Sequence, residues 1–172
     1  VRKNEVELDW LVRKLEAKPP HRVPGTAVFF TADQSAAPTS LMHNLKHNRV
    51  LHERNVILSI RTEDVPRVPR HERVEINRQD ETFIKVVAHY GFMETPSVPK
   101  ILEHCRRKDL IIEMSATSFF LSRRSLRTTS KSEMPRWQEK LFIWLARSAE
   151  DATTYFQIPT DRVVEVGTQV QV

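Results

Sequence analysis

The fold is decided by residues 22–68, RVPGTAVFFTADQSAAPTSLMHNLKHNRVLHERNVILSIRTEDVPRV. The apolar run Thr26–Thr31 follows a Pro-Gly pair and predicts a strand, and Val56–Ile60 predicts a second, buried strand. The intervening residues 38–48 start with a proline, which suits a first helical turn, and their apolar residues are spaced for one helix face. Strand, helix and strand at this spacing form a right-handed βαβ unit with parallel strands. We therefore predict an α/β domain that grows from this unit.

The end of the predicted helix carries positive charge and an asparagine. Lys46, His47 and Arg49 place cations where the helix dipole is negative. Asn48 lies at the position that favours a left-handed residue after a helix. We predict that Asn48 takes this left-handed conformation.

The rest of the chain interleaves further helices and strands, without an internal repeat. Because the elements alternate, we predict one α/β domain whose mixed sheet is built on the βαβ unit, with helices packed on it. The other predicted elements are a helix at 4–18, strands at 72–76 and 83–90 joined as a hairpin, a helix at 97–107, strands at 110–114 and 117–122 (or one bent strand over both), an exposed loop at 124–132, a helix at 133–149 and a strand at 162–172.

Composition and charge bound the class of protein. The chain has 172 residues, 40% of them hydrophobic, which is enough for one domain with a core. No window approaches the roughly 20 apolar residues of a membrane span. The net charge of +5 suits either a solvated surface or anionic lipid head groups nearby. The chain contains no RNP motif, zinc-finger spacing or basic zipper, so we expect no nucleic-acid partner.

Several long runs resemble a known family. They are RVPGTAVFFTAD, HNLKHNRVLHER, RTEDVPRVP, YGFMETPSVP, TSFFLSR, WQEKLFIWLAR and RVVEVGTQVQV. In this order, and over about residues 20–172, they are similar to the cytoplasmic C-terminal domain of Kup-type (KUP/HAK/KT family) low-affinity potassium uptake transporters of bacteria. The resemblance implies a domain at the cytoplasmic face of the inner membrane, in a protein that imports potassium with protons. Its ion ligands would lie in the membrane part, outside this chain.

The resemblance also suggests how the chain is divided. Residues 1–20 would be a linker helix from the membrane part, and residues 21–172 a single α/β cytoplasmic domain. A helix that simply packs on the sheet is the alternative for the first segment. The sequence does not separate these two interpretations.

Few residues suggest catalysis or metal binding. His43 and His47 share a helix face, but no cysteine or carboxylate has a spacing that would complete a metal site. Cys105 follows His104 directly, and adjacent helix residues point apart, so a buried structural thiol is the simpler interpretation. We predict no catalytic residue, no metal and no cofactor, and therefore no enzyme.

A nucleotide is the alternative ligand. In open α/β sheets ligands bind beyond the carboxyl ends of the strands, and here polar residues follow two predicted strands. The resemblance adds cyclic di-AMP, which regulates some relatives through this domain. Against a phosphate site, the loop has no glycine and contains an aspartate. The candidate ligand-binding residues are Thr31, Asp33, Ser35, Arg61 and Thr62.

Two segments are candidates for a homodimer surface. The helix predicted at 133–149 is apolar around its middle, and the strand predicted at 162–172 would lie at a sheet edge. Burial of that helix inside the domain is the simpler alternative. The candidate interface residues are Trp137, Leu141, Trp144, Val164 and Val166.

These observations together predict a non-catalytic regulatory or assembly domain of a potassium transporter. Its partners would be the membrane part of the same transporter, a second copy of the chain and an anionic lipid surface nearby. The alternative is a nucleotide-sensing module, for cyclic di-AMP or an adenine nucleotide, that controls the transporter.

Overall fold

The computed structural model describes residues 6–127 and 155–171, with the backbone alone for 124–127 and 168–171. Helices and strands alternate along the chain, as the sequence predicts. Their bounds are α1 Leu8–Ala17, β1 His21–Phe30, α2 Thr39–His43, β2 Val50–Glu63, β3 Val74–Arg78, β4 Phe83–Gly91, α3 Val98–Arg106, β5 Thr117–Arg127 and β6 Val163–Gln171.

The six strands form one mixed sheet in the order β3-β4-β2-β1-β5-β6. Neighbouring strands are parallel, except for the antiparallel hairpin of β3 and β4. The predicted βαβ unit is confirmed, because β1 and β2 are parallel neighbours with Val28 opposite Val56. After β4 the chain crosses to the other side of β1 and forms β5, so the strand order reverses between β1 and β5. A reversal of this kind defines a doubly wound sheet.

Both faces of the sheet are buried. Successive side chains of a strand point to opposite faces, so Val28 enters one core cluster while Ala27 and Phe29 enter the other. Helices α1 and α2 cover the face that contains Phe29, and α3 covers the face that contains Val28. The helices contribute apolar residues to these two clusters: Leu8, Leu11, Val12 and Leu41 on the first face, and Val98, Ile101, Leu102 and Cys105 on the second.

Helix α1 packs directly on the sheet and starts later than predicted. The predicted helix begins at residue 4, but Glu7 has extended backbone angles and forms a β-bridge with Ala36. The amide of Leu8 donates to the Ser35 carbonyl (2.9 Å), which fixes the start of α1 beside the loop that follows β1. Whether α1 also connects the domain to a membrane part stays a prediction.

The predicted strand at 110–114 is wrong. Leu110 and Ile112 are buried while Ile111 is 57% exposed, so the segment alternates as a strand does. It nevertheless pairs with no strand of the described sheet, and β5 starts only after a short 3-10 turn at Met114–Ala116. Alternation reports which side chains are buried, and here packing produces it although no strand of the described sheet pairs with the segment.

The helix of the βαβ unit ends differently from the prediction. Helix α2 widens into a π-helical turn, Asn44–Asn48, and Arg49 rather than Asn48 takes the left-handed conformation (φ 57°). The wider turn includes one more residue, so the helix end moves one position along the chain. The side-chain Nδ2 of Asn48 instead donates to Asn44 Oδ1 (2.8 Å).

The hairpin, the helix near residues 97–107 and the last strand are confirmed as β3–β4, α3 and β6. Strand β5 is longer than predicted. Its backbone pairs with β6 as far as Arg127, within the region predicted to start an exposed loop. A basic, Ser/Thr-rich strand end has no apolar periodicity, which explains why the sequence pattern misses it.

Candidate functional site

A cleft of about 610 Å³ opens beyond the carboxyl ends of β1 and β5, where the strand order reverses. We call it the switch-point cleft. The reversal leaves a gap between loops that leave the sheet in opposite directions, which is where doubly wound sheets bind ligands. Its lining consists of Phe30, Thr31, Ala32, Thr39, Leu58, Ile60, Leu121, Ser122 and Phe156.

The walls of the switch-point cleft are apolar and aromatic. Phe30 stacks on Phe156 with ring centroids 5.9 Å apart, and the polar groups in the lining are the hydroxyls of Thr31, Thr39 and Ser122. Among the described residues, no charged side chain lines this cleft. The lining therefore suits a flat apolar group, and its described side chains offer no cation to a phosphate.

The loop after β1 is closed by its own hydrogen bonds. Thr31 Oγ1 donates to the Asp33 carbonyl (2.7 Å) and accepts from the Asp33 amide (3.2 Å). Asp33 Oδ1 in turn accepts from the amide (2.8 Å) and the hydroxyl (2.6 Å) of Ser35. Short polar side chains that bond backbone two residues on are typical of tight turns. The three predicted ligand residues of this loop therefore stabilise the loop itself.

The structure does not bring all five predicted ligand residues into one site. Of these, Thr31 alone belongs to the lining of the switch-point cleft. Arg61 and Thr62 lie further along β2, opposite His89 and Tyr90 of β4, and both are exposed. The ligand role of these residues stays a prediction.

A second region centres on a buried ion pair that the sequence analysis missed. Arg73 is 7% exposed, and its guanidinium donates to both carboxylate oxygens of Glu94, at 2.6 and 2.9 Å. The same guanidinium donates to two backbone carbonyls and lies over the ring of Tyr90, 4.5 Å from its centroid. The hydrogen bonds from Arg73 lower the pKa of Glu94 to about 2. The pair is thus charged at neutral pH.

Next to this pair lies a pocket of about 450 Å³ that we call the cationic pocket. Two of its cations are matched: Arg73 by Glu94, and Arg107 by Glu103 at 2.5 Å. Within the described residues, Arg70 and Lys100 form no ion pair. The complete lining is Arg70, Arg73, Tyr90, Glu94, Thr95, Lys100, Glu103, His104 and Arg107.

The positive charge of the cationic pocket also affects the pKa of a histidine in its lining. Burial lowers the pKa of His104, and the nearby Arg107 and Arg73 guanidiniums lower that pKa further. A like charge disfavours the protonated imidazole, so His104 adds no charge of its own at neutral pH. The unmatched positive charge therefore comes from Arg70 and Lys100.

A tight turn at the wall of this pocket exposes two large apolar side chains. The amide of Gly91 donates to Glu94 Oε2 (2.8 Å), and the amide of Glu94 donates to the Gly91 carbonyl (3.0 Å). Between them, Phe92 is 61% exposed and Met93 is 67% exposed. We call Phe92 and Met93 the apolar apex. The turn lies against the backbone of Pro66, and a β-carbon on Gly91 would clash with it.

The sequence offers only a weak signal for the cationic pocket. Arg67, Arg70 and Arg73 recur at spacing three in a proline-marked segment, which predicts a basic loop. Glu94 lies 21 residues after Arg73. No local periodicity predicts that the two side chains meet.

The residues considered for catalysis or metal binding lie as follows. The rings of His43 and His47 are 5.6 Å apart, as predicted for one helix face. No group of three or more His, Cys, Asp or Glu side chains in residues 6–127 and 155–171 is placed to hold a metal ion. Cys105 is buried, and burial raises the pKa of its thiol to about 11, so the thiol stays protonated at neutral pH.

The candidate dimer residues divide between described and undescribed parts of the chain. Strand β6 lies at the edge of the described sheet, as predicted. Val164 is 43% exposed there, and Val166 is half-buried. The remaining candidates, Trp137, Leu141 and Trp144, belong to the helix predicted at 133–149, which lies outside the described residues.

Comparison with known proteins identifies one matching family and several similar proteins. The family described as the K+ potassium transporter C-terminal domain matches residues 24–172. Over 171 residues, which are 99% of its length, this chain is 57% identical to "Probable potassium transport system protein Kup 2" of Bradyrhizobium sp. (strain BTAi1). Over the same length it is 52% identical to "Probable potassium transport system protein Kup" of Caulobacter vibrioides. These matches cover 27% and 26% of the two relatives, so the chain spans about a quarter of their length.

Two further findings complete the comparison. No solved structure matches the chain. None of the helices in the described part of the chain is both long enough and apolar enough to cross a membrane. The match over residues 24–172 and the identity to its relatives show that this chain belongs to the family of K+ potassium transporter C-terminal domains.

Proposed function

We propose that this chain is the non-catalytic cytoplasmic domain of a potassium uptake transporter, where it supports assembly and regulates uptake. The family match over residues 24–172 is the observation that carries the proposal. Relatives named as potassium transport proteins are about four times as long as this chain, which leaves room for a membrane part. We infer that potassium, with protons as the coupled ion, crosses that part at the bacterial inner membrane.

In this proposal the domain acts mechanically. Two buried core clusters on a continuous sheet make it a stiff body, and interior packing of this kind transmits displacement rather than absorbing it. A stiff domain that contacts the membrane part differently in two transport states biases the equilibrium between them. Helix α1 would link the two parts.

The proposal is tested with the transporter that contains this chain, expressed with and without residues 21–172 in bacteria that lack other potassium uptake. We expect removal of the domain to change the rate of rubidium uptake and to leave the preference for potassium over sodium unchanged. The ion ligands lie elsewhere in the proposal, so selectivity is the informative readout. A changed ion preference would place part of the ion path in this domain and contradict the proposal.

We further propose that two copies of the chain associate through β6. An edge strand presents unpaired backbone groups, and pairing of β6 with a second β6 would extend the sheet across a two-fold axis. Val164 and Val166 would lie in that contact.

Light scattering on the full chain tests the dimer. Val164→Glu should lower the mass in solution towards that of a monomer, because it places a carboxylate at the proposed contact. Val65→Glu is a matched control, since Val65 is also 43% exposed but follows β2, which β1 and β5 separate from β6 in the sheet. Equal masses for Val164→Glu and the unmodified chain would contradict a β6 interface.

Nucleotide sensing is a second candidate function. No comparison supports it, but the switch-point cleft has the position that ligands take in doubly wound sheets. Thermal unfolding with cyclic di-AMP or ATP tests it. A ligand at about 100 times its dissociation constant adds roughly 2.7 kcal/mol to the stability of the folded state. An unchanged unfolding temperature across both ligands would exclude this candidate for them.

A further inference from the structure

Three features meet at the carboxyl edge of the sheet. Strands β1, β2 and β4 are parallel, so the loop after β1 and the turn after β4 lie at the same edge. Helix α1 starts there, where its first amide contacts Ser35. The apolar apex, Phe92 and Met93, projects from the turn after β4. The next two residues, Glu94 and Thr95, belong to the wall of the cationic pocket.

We propose that this edge contacts the membrane surface, with the apolar apex inserted between lipid head groups and the phosphate of an anionic lipid bound in the cationic pocket. This inference rests on the proposed function, in which the membrane part precedes α1. The start of α1 then brings the carboxyl edge towards the bilayer.

The charge of the pocket favours an anionic ligand. Four cationic side chains line it, Arg70, Arg73, Lys100 and Arg107, against the two carboxylates Glu94 and Glu103. Arg73 is buried and is joined to the partly buried Glu94 by two hydrogen bonds, so this pair is not available for exchange with a ligand. Arg70 and Lys100 are exposed and have no carboxylate partner among the described residues. A phosphate between them would match the two unpaired charges.

The apex indicates that this phosphate belongs to a lipid. A site that binds free phosphate does not require large apolar side chains beside it. Proteins that bind a membrane surface combine an inserted apolar group with basic residues around it. Phe92 and Met93 are the two most exposed large apolar side chains of the described residues. The turn that presents them is held by hydrogen bonds from the amides of Phe92 and Met93 to the carbonyls of Val65 and Pro66, at 2.9 and 3.1 Å. Because the turn is already ordered, inserting Phe92 and Met93 into the lipid costs less conformational entropy than it would for a flexible loop.

Vesicle sedimentation with the full 172-residue chain tests the proposal. The vesicles are phosphatidylcholine alone or phosphatidylcholine mixed equally with phosphatidylglycerol, at low and high salt. We expect binding to the mixed vesicles and a loss of binding at high salt, because salt screens charges near the surface. Arg70→Gln with Lys100→Gln should reduce partitioning about twenty-five-fold, since each of the two basic residues near an anionic surface contributes roughly fivefold.

Matched variants separate this site from general charge and general hydrophobicity. Arg13→Gln with Lys18→Gln removes the same net charge from exposed positions on and after α1, and we expect nearly unchanged binding. Phe92→Ser with Met93→Ser should abolish most binding. Ile111→Ser is its control, because Ile111 is 57% exposed but precedes β5 and so lies at the opposite edge. Circular dichroism checks that each variant is folded.

The outcomes separate lipid from the other partners. Loss of binding in both the apex and the pocket variants, with both controls unaffected, supports the proposal. Equal binding by the apex variant and the unmodified chain overturns it. Inorganic phosphate that competes for the pocket while the apex substitutions leave binding unchanged also overturns it. No binding to any vesicle also overturns it, and the uptake experiment on the whole transporter still tests the proposed function independently.

Discussion

The switch-point cleft and the cationic pocket each include a loop or turn that leaves the carboxyl edge of the sheet, but different kinds of contact hold them. The loop of the cleft is closed by hydrogen bonds between residues two apart, from Thr31 to Asp33 and from Asp33 to Ser35. The pocket is held by Arg73 and Glu94, 21 residues apart, and by backbone hydrogen bonds from the turn after β4 to Val65 and Pro66.

The difference bears on what each region tolerates. Local hydrogen bonds at an exposed loop exchange with water, so losing one removes little stability. A buried ion pair leaves an uncompensated charge when one partner is removed, so losing it removes much more. The cationic pocket should therefore be the fragile region and the cleft the robust one.

Arg73→Gln should lower the free energy of unfolding by about 3–5 kcal/mol, because it leaves the Glu94 carboxylate without its buried partner. It also removes the donors to the Val68 and His89 carbonyls. Urea unfolding measures the loss. Arg107→Gln is the control: its ion pair with Glu103 is more than half exposed, so the expected loss is about 0–1 kcal/mol. Similar losses for the two variants would remove the contrast.

Acid should weaken the same pair. The pKa of Glu94 is about 2 in the folded chain against 4.5 for an ordinary glutamate. A lowered carboxyl pKa contributes stability that is fully present above the unfolded pKa and is lost as the pH falls towards the folded one. The stability difference between the unmodified chain and Glu94→Gln should therefore shrink as the pH falls from about 5 to about 2. Urea midpoints across this range measure it.

The control for the acid series is Glu103→Gln, which alters the exposed pair on α3. Its stability should stay close to that of the unmodified chain throughout. A difference for Glu94→Gln that is constant with pH would show that the Arg73 contact does not depend on the carboxylate charge.

Gly91→Ala tests the close approach that positions the apolar apex. The added β-carbon would clash with the Pro66 backbone, and overpacking of this kind costs about 1–3 kcal/mol. Gly167→Ala is the control, because a β-carbon there meets no atom within 4 Å, and its effect should be near zero. Thermal unfolding compares the two. An unaffected Gly91→Ala would mean that the turn moves away from Pro66 without penalty.

The same contrast between local and distant contacts explains what the sequence predicts. The βαβ unit, the hairpin and α3 follow from periodicity and turn residues within short windows, and the structure confirms them. The predicted strand at 110–114 is wrong because the alternation of Leu110, Ile111 and Ile112 reports which side chains are buried and does not report whether a neighbouring strand pairs with them. The predicted helix end at Asn48 is wrong because no sequence pattern distinguishes the π-helical turn before Arg49 from an α-helix.

The candidate sites divide in the same way. The position of Thr31 beyond β1 is predictable, since the strand and its following loop are local features. Strand order decides that Leu121 and Phe156 complete the cleft around it, and no window of sequence contains that order. The cationic pocket is still harder to predict from the sequence. Arg73 and Glu94 are 21 residues apart, and they come into contact only once β3 and β4 pair.

The smallest effect is expected in the loop of the cleft. Thr31→Val keeps the shape of the side chain but removes the hydroxyl that donates to the Asp33 carbonyl and accepts from its amide. Because water replaces these bonds at an exposed loop, we expect a loss of about 1 kcal/mol in urea unfolding. Ser122→Ala, an exposed hydroxyl on the same cleft, should change stability less than Thr31→Val. A loss for Thr31→Val as large as that for Arg73→Gln would show that the loop organises the edge of the sheet, and that local closure contributes as much as the distant ion pair.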